Sequence, residues 1–214
     1  FEKVAGERDE DEMVRQLTLT NMIYAGNKDA IEKASAIFEQ YESNLSQIPA
    51  SIRSLVISNQ MTSHESDELV KELLDNYIQT PDGNFKRQLA VALSKTKQKN
   101  HLKFLMEQWQ NKDVVKPQDL AMSWYYTFLK NSFAQDTVWQ WAKQNWEWIK
   151  AALGGDMSFD KFVIYPANIF DTEKRLKEYK EFFEPQLTDM AISRNISMGI
   201  KEIKARVQLI DNEK

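Results

Sequence analysis

The chain holds two histidines, His64 and His101, and no cysteine. Metal hydrolysis or thiol chemistry would have to be built from these residue types. A helical zinc hydrolase needs His-Glu-x-x-His, with two imidazoles one turn apart on the metal and the carboxylate between them activating water. The one His-Glu pair lies in His64-Glu65-Ser66-Asp67-Glu68, and Glu68 stands where the second ligand should be. That segment cannot hold zinc in this way. The missing cysteines exclude a disulfide framework, thiolate zinc sites, thiol nucleophiles and iron–sulfur ligation. A serine nucleophile would need a Gly-x-Ser-x-Gly turn to present it, and nucleotide chemistry a glycine-rich phosphate cradle; the sequence has neither. Both histidines therefore read as ordinary helix-surface residues, and acid pairs such as Asp9 and Glu12 as a solvated helix start. No catalytic and no metal-ligating residue is assigned.

Charge is the second candidate for chemistry. Residues 1–80 carry 15 acidic and 7 basic side chains, whereas residues 84–112 carry 7 basic ones (Lys86, Arg87, Lys95, Lys97, Lys99, Lys103 and Lys112) against Glu107 alone. One reading is a solvated helix-hairpin face. The other is an electropositive patch, centred on Lys86, Arg87, Lys95, Lys97 and Lys99, that attracts a peptide carboxylate or an acidic partner. Nucleic acid is disfavoured as that partner, because the net charge is −4 and no nucleic-acid-binding motif is present. Trp139, Trp141, Trp146 and Trp148 invite a ligand-stacking reading. On one helix, however, Trp139 and Trp146 share a face and Trp141 and Trp148 share another, turned by about 200°. A helix apolar on two sides is better explained by packing between neighbours.

These residues must be positioned by helices. In 214 residues there are only six Gly and five Pro, well below the usual roughly 7% and 5%. With 42% hydrophobic and 28% charged residues the chain is globular rather than disordered. Met13, Leu17 and Tyr24 mark the apolar face of a first helix that stops at Gly26, and Ile31, Ala34, Phe38 and Tyr41 mark a second. Pro49 opens a third, with Ile52, Leu55 and Val56, and Leu69, Leu73, Leu74 and Tyr77 line a fourth. After the Thr80-Pro81-Asp82-Gly83 break come helices lined by Phe85, Leu89 and Leu93 and by Leu102, Leu105 and Trp109. Pro117 opens the next, carrying Leu120, Trp124, Tyr125, Phe128 and Leu129; one helix is then expected over 136–153, a short segment over 158–170, one over 172–183, and a long one seamed by Ile192, Ile196, Gly199, Ile203, Val207 and Ile210. Helix pairs recur every 30–40 residues or so, a period like that of helical solenoids. The expectation is an all-α fold, an irregular α-superhelix of stacked antiparallel helix pairs of the HEAT or armadillo type, forming a single domain over 1–214. No apolar run approaches the ~20 residues of a membrane helix, and no targeting signal is present. A start on Phe1 suggests a piece of a longer protein.

The order of several motifs carries a resemblance. Trp139-Gln140-Trp141-Ala142-Lys143-Gln144-Asn145-Trp146, Phe170-Asp171-Thr172-Glu173, Glu178-Tyr179-Lys180-Glu181-Phe182-Phe183 and Asn195-Ile196 resemble the C-terminal helical domain of the aminopeptidase N family, the gluzincin zinc exopeptidases. Upstream, Ala36-Ile37-Phe38, Ile48-Pro49-Ala50-Ser51-Ile52-Arg53, Ala92-Leu93-Ser94 and Gln118-Asp119 fall in the same order. One departure is Met198, near a position where the family often has Trp. The resemblance implies a cytoplasmic bacterial member, and a non-catalytic C-terminal fragment that encloses the active-site cavity, restricts access to short peptides and helps bind the far end of the substrate. Zinc and the Gly-Ala-Met-Glu-Asn and His-Glu-x-x-His motifs would belong to the preceding catalytic domain, the implied partner beside peptide substrates, with no nucleic acid or membrane involved. The alternative is a free-standing helical-repeat scaffold that binds another protein.

Overall fold

The computed structural model describes residues 1–2 and 6–213, and every regular element among them is helical. The fold is all-α, as the apolar periodicity requires. The chain divides into two compact units, Phe1–Met106 and Glu107–Lys214.

The first unit contains α1 (Asp9–Tyr24), α2 (Lys28–Gln40), α3 (Ala50–Ser63), α4 (Asp67–Gln79), α5 (Gly83–Leu93) and α6 (Lys99–Glu107), the last residue of α6 falling beyond it. The starts of α2, α4 and α5 are written in short polar side chains that take up otherwise unpaired backbone N–H groups. Asn27 accepts from Ala30 at 2.9 Å, Ser66 from Leu69 at 3.2 Å, and Asp82 from Asn84 and Phe85 at 2.8 and 3.3 Å. Gly26, with φ +77°, makes the left-handed turn that ends α1 and admits α2. α3 packs on α2 and α5, and α4 on α5. Their shared core includes Ala34, Phe38, Val56, Met61, Leu73, Tyr77, Leu89 and Leu93, all at most 3% exposed.

Arg53 is the unusual member of that core, 8% exposed. Its guanidinium donates to the carbonyls of Ile48 at 3.0 Å and Ser46 at 2.6 Å, reaches Gln88 Oε1 at 3.4 Å, and lies 5.0 Å from the centre of the Phe85 ring. It thereby satisfies the loop before α3 and ties it to α5. Arg53→Ala should lower stability by about 2 kcal/mol, because two carbonyls would lose their donors. Arg53→Lys should recover little of this, since an ammonium lacks the planar fork. A urea midpoint unchanged in Arg53→Ala would refute the assignment.

α1 departs from the expected packing. Met13, Leu17 and Tyr24, the stripe the spacing picks out, are 68%, 63% and 93% exposed. The face half-buried towards α2 and α3 is instead Glu12, Arg15, Gln16, Leu19, Met22 and Ile23. α1 is apolar on two sides, so periodicity identifies a helix but cannot say which stripe its neighbours take.

In the second unit, Pro117–Asp119 (α7), a π-helical turn over Leu120–Tyr125 and α8 (Tyr126–Lys130) follow without a break. Leu120, Trp124, Tyr125, Phe128 and Leu129 are fully buried, as their spacing predicts. The helix expected over 136–153 is two, α9 (Gln135–Gln144) and α10 (Trp146–Leu153). Asn145 interrupts it: both its backbone N–H and its side-chain amide donate to the Trp141 carbonyl at 2.9 Å. A short amide side chain competing for a helix carbonyl is a local alternative to the ladder. α11 (Lys161–Ile169), α12 (Glu173–Phe183) and α13 (Ser193–Asn212) complete the unit, with α13 packed on α11 and α12. The core is aromatic. Trp139 is fully buried, with Phe170, Phe182 and Phe183 at 5.3, 5.6 and 5.8 Å between ring centres. Trp109 meets Phe128 and Trp141 edge-on at 5.5 and 4.8 Å. These rings are one another's neighbours, which is packing rather than an empty stacking platform.

Candidate functional site

The basic residues singled out by charge lie on one stretch of the first unit, from α5 through the turn at 94–98 into α6. Arg87, Lys95, Lys97 and Lys99 are exposed, and Lys86 is half-buried. Lys86 Nζ sits 5.2 Å from the centre of the Tyr77 ring, and Arg87 donates to Asn84 at 2.8 Å, one turn back on α5. Lys95 and Lys97 project from the turn between the helices, and Lys99 opens α6.

That turn is clamped by Glu65, in the short connection between α3 and α4. One Glu65 carboxylate oxygen accepts from the Thr96 hydroxyl, the other from the Lys97 N–H at 2.9 Å, and the Glu65 carbonyl accepts from the Gln98 side chain at 3.3 Å. Behind them lies His101, 4% exposed, with Nδ1 2.7 Å from Glu65 and Nε2 2.6 Å from Asp67. The expectation that both histidines lie on the surface fails for His101, though His64 at the end of α3 is exposed. Two carboxylates, one on either side of Ser66 at the start of α4, give the ring partners that make burial tolerable. Burial disfavours the imidazolium, but the hydrogen bonds it donates to Asp67 and Glu65 outweigh this and raise the His101 pKa. Burial likewise opposes the Glu65 charge, yet Thr96, Lys97 and His101 bring its pKa below the usual value; Asp67 is lowered by His101. A hollow of about 220 Å³ adjoins His101, lined also by Asp67, Val70, Lys71, Asn100 and Phe104.

Sequence reasoning missed this cluster. The acids flanking Ser66 look like a helix start, and nothing local says that a histidine 36 residues downstream will be seated between them. What the cluster can do is structural: it holds the lysine-bearing turn against α4. It does not fit a metal. Both nitrogens of His101 are occupied by carboxylates, and among the described residues no group of three or more His, Cys, Asp or Glu side chains is arranged to hold a metal ion. A larger groove of about 870 Å³ lies among α1, α2 and the start of α3, with Phe1, Arg15, Lys33, Ile37, Tyr41 and Ile52 in its wall. Arg15 in that wall is paired with Glu7 at 2.8 Å.

In the second unit the motifs behind the resemblance fall on joints. Thr172 caps α12 by accepting from Arg175 N–H at 3.3 Å. The Arg175 guanidinium is paired with Asp136 and, at 2.6 Å, with Glu178, over the Phe170 ring. Tyr179 donates to the Val163 carbonyl at 3.1 Å, and Asn195 to Asp160 at 3.1 Å. Met198, where the resemblance leads one to look for Trp, is 46% exposed, so little packing depends on it. Arg175, Tyr179 and Asn195 thus tie one element of the unit to another.

No helix among the described residues is long and apolar enough to cross a membrane. Comparison with known proteins agrees with the motifs. Aminopeptidase N of Lactococcus lactis subsp. lactis is 54% identical over 214 residues, all of this chain and 25% of the relative. Aminopeptidase N of Lactobacillus helveticus is 40% identical over the same span, again 25% of its length. Endoplasmic reticulum aminopeptidase 2 of Bos taurus is 28% identical over 177 residues, 81% of this chain and 18% of the relative. The chain thus spans about a quarter of the curated bacterial relatives it matches. The family model described as ERAP1-like C-terminal domain matches residues 1–205, and the chain belongs to that family.

Proposed function

We propose that these 214 residues are the non-catalytic C-terminal part of a cytoplasmic zinc aminopeptidase, working against the catalytic domain of the same polypeptide. The observation that carries this reading is the full-length match to aminopeptidase N at 54% identity over a quarter of that protein, in a chain without the zinc motif. On this reading the zinc, which activates water and polarises the peptide carbonyl, is held by residues outside this chain. This part, a single helical-repeat domain, encloses the active-site cavity, limits entry to short peptides and supplies contacts to the distal end of the substrate. The basic residues Lys86, Arg87, Lys95, Lys97 and Lys99 are the contacts we assign, because four of them are exposed on one clamped stretch where a peptide carboxylate would be attracted.

Charge reversal in the full enzyme tests this. Arg87→Glu with Lys97→Glu should raise KM for longer peptides several-fold, while KM for single-residue chromogenic substrates stays within about twofold, since only longer peptides reach the patch. The difference should shrink with added salt. Equal effects on both substrate classes, or none, would remove the patch from substrate binding.

A further inference from the structure

The turn that carries Lys95 and Lys97 is closed partly by its own bonds. Lys95 N–H donates to the Ala92 carbonyl at 2.9 Å, Thr96 N–H to the Leu93 carbonyl at 3.3 Å, and Gln98 N–H to the Thr96 hydroxyl oxygen at 3.3 Å. The Lys97 N–H instead finds its acceptor 32 residues back, in the Glu65 carboxylate. The other Glu65 oxygen accepts from the hydroxyl of Thr96, which is fully buried. Glu65 is itself held on every side. His64 N–H ends α3 on the Gln60 carbonyl at 2.8 Å, and Ser66 caps α4, so the backbone before and after Glu65 is fixed. Its side chain, 9% exposed, is backed by His101 Nδ1, and the far nitrogen of that ring lies against Asp67. A binding constellation is kept to a fraction of an ångström by residues whose own rotamers are locked in this manner.

We propose that Glu65 is a positioning residue for the binding of longer peptides: it presets the turn bearing Lys95, Lys97 and Lys99 in the conformation that receives the peptide carboxylate. This rests on the reading of the basic stretch as a peptide contact. Glu65 touches no peptide. Its oxygens are occupied by Thr96, Lys97 and His101, so it acts on the turn and does not compete with an incoming carboxylate for the lysine ammonium groups. A turn that the peptide had to order would weaken binding by the entropy of that ordering, whereas a turn ordered beforehand leaves the full attraction to the peptide. Asp67 supplies the comparison, because it is bonded to His101 and not to the turn. Its side chain is 66% exposed, so water can take the place of the imidazole there. The two acids thus share one histidine, and only Glu65 transmits its position to the lysines.

Two measurements on the full-length parent enzyme test this: amide hydrogen exchange across residues 95–98, which reads the order of the turn, and KM for longer peptides, which reads its use. Glu65→Ala should speed that exchange about 10-fold. It should raise KM for longer peptides about fivefold, the scale of ordering one or two side chains on binding, with kcat for the same peptides and KM for single-residue chromogenic substrates within about twofold. Glu65→Gln should recover most of both effects, because its amide oxygen still accepts from the Lys97 N–H while the Thr96 hydroxyl turns to accept from its amide N–H. Asp67→Asn should leave exchange and KM within about twofold of the parent. Should Glu65→Ala fold poorly, Thr96→Val removes one donor to Glu65 and should move both readouts in the same direction. Unchanged exchange in Glu65→Ala and Thr96→Val would overturn the assignment. Faster exchange with an unmoved long-peptide KM would also overturn it, and Arg87→Glu with Lys97→Glu tells the two failures apart. If that charge reversal raises the KM, the patch binds peptide without needing Glu65; if it does not, the patch reading falls first and takes the positioning role with it. Equal effects of Asp67→Asn and Glu65→Ala would give the role to the His101 cluster as a whole and overturn its assignment to Glu65.

Discussion

His101→Ala should destabilise the first unit by about 3 kcal/mol, the low end of the range for removing one partner of a buried ion pair. The low end applies because Asp67 faces solvent and Glu65 keeps the Thr96 hydroxyl and the Lys97 N–H. The pH dependence is more diagnostic than the size. His101 has its pKa raised in the folded state, so its contribution is complete below the ordinary value of 6.5 and is lost as pH rises through the folded value. Glu65 and Asp67 have theirs lowered, so their contribution is present above the ordinary carboxylate values and is lost as pH falls through the folded ones. Stability should therefore hold a plateau from weakly acidic pH to neutrality and decline on the alkaline side. His101→Gln, which can still hydrogen-bond but cannot charge, should flatten the alkaline decline while keeping the part of the acid limb that Glu65 owes to Thr96 and Lys97. Urea denaturation from about pH 2.5 to 9 reads both limbs, and an alkaline slope that persists in His101→Gln would show that another group causes it.

That cluster also shows where sequence legibility ended. Helix starts could be read because their determinants are local: Asn27, Ser66, Asp82 and Thr172 each cap a helix within three residues of themselves. The buried seams of α4, α5 and α13 could be read because apolar residues recur at helical spacing on one face. His101, Arg53 and Arg175 could not. Each is a polar residue made tolerable in the interior by partners that include ones the helical repeat does not relate to it, such as Glu65 for His101, the Ile48 carbonyl for Arg53 and Asp136 for Arg175. α1 failed for a different reason, since two apolar stripes on one helix are equivalent until neighbours choose between them. The break at Asn145 turned on one side chain competing with the backbone, and the π-turn at Leu120–Tyr125 left the buried positions unchanged while altering the ladder. For the basic patch, composition located the residues, and only the structure supplied the Glu65 clamp that orders the turn bearing them.

Gly199→Ala should destabilise the second unit by about 3 kcal/mol, reversing the sign that helix propensity alone would give. In an exposed helix this change is favourable by about 1 kcal/mol. Gly199, however, is buried in the middle of α13 where that helix crosses α11 and α12. A Cβ there would fall 2.8 Å from the Ala167 Cβ and closer still to the Tyr179 hydroxyl oxygen. Neither neighbour can yield cheaply. Ala167 is on α11, 2% exposed, and the carbonyls of Ala167 and Phe170 at that helix's end are held by Arg206 of α13 at 2.9 and 2.5 Å. Tyr179 is fully buried, and moving its hydroxyl would break the 3.1 Å bond to the Val163 carbonyl. Overpacking of this kind costs about 1–3 kcal/mol, and leaving the buried hydroxyl donor unpaired adds about 1–3 more, which together exceed the propensity gain. The double variant Gly199→Ala/Tyr179→Phe separates the contributions: removing the hydroxyl relieves the closest contact, so the penalty of Gly199→Ala should be smaller on the Phe background than on the native one. A penalty of equal size on both backgrounds would place the clash on Ala167 alone, and a stabilised Gly199→Ala would mean that α13 does not approach α11 and α12 as closely as the structure has it.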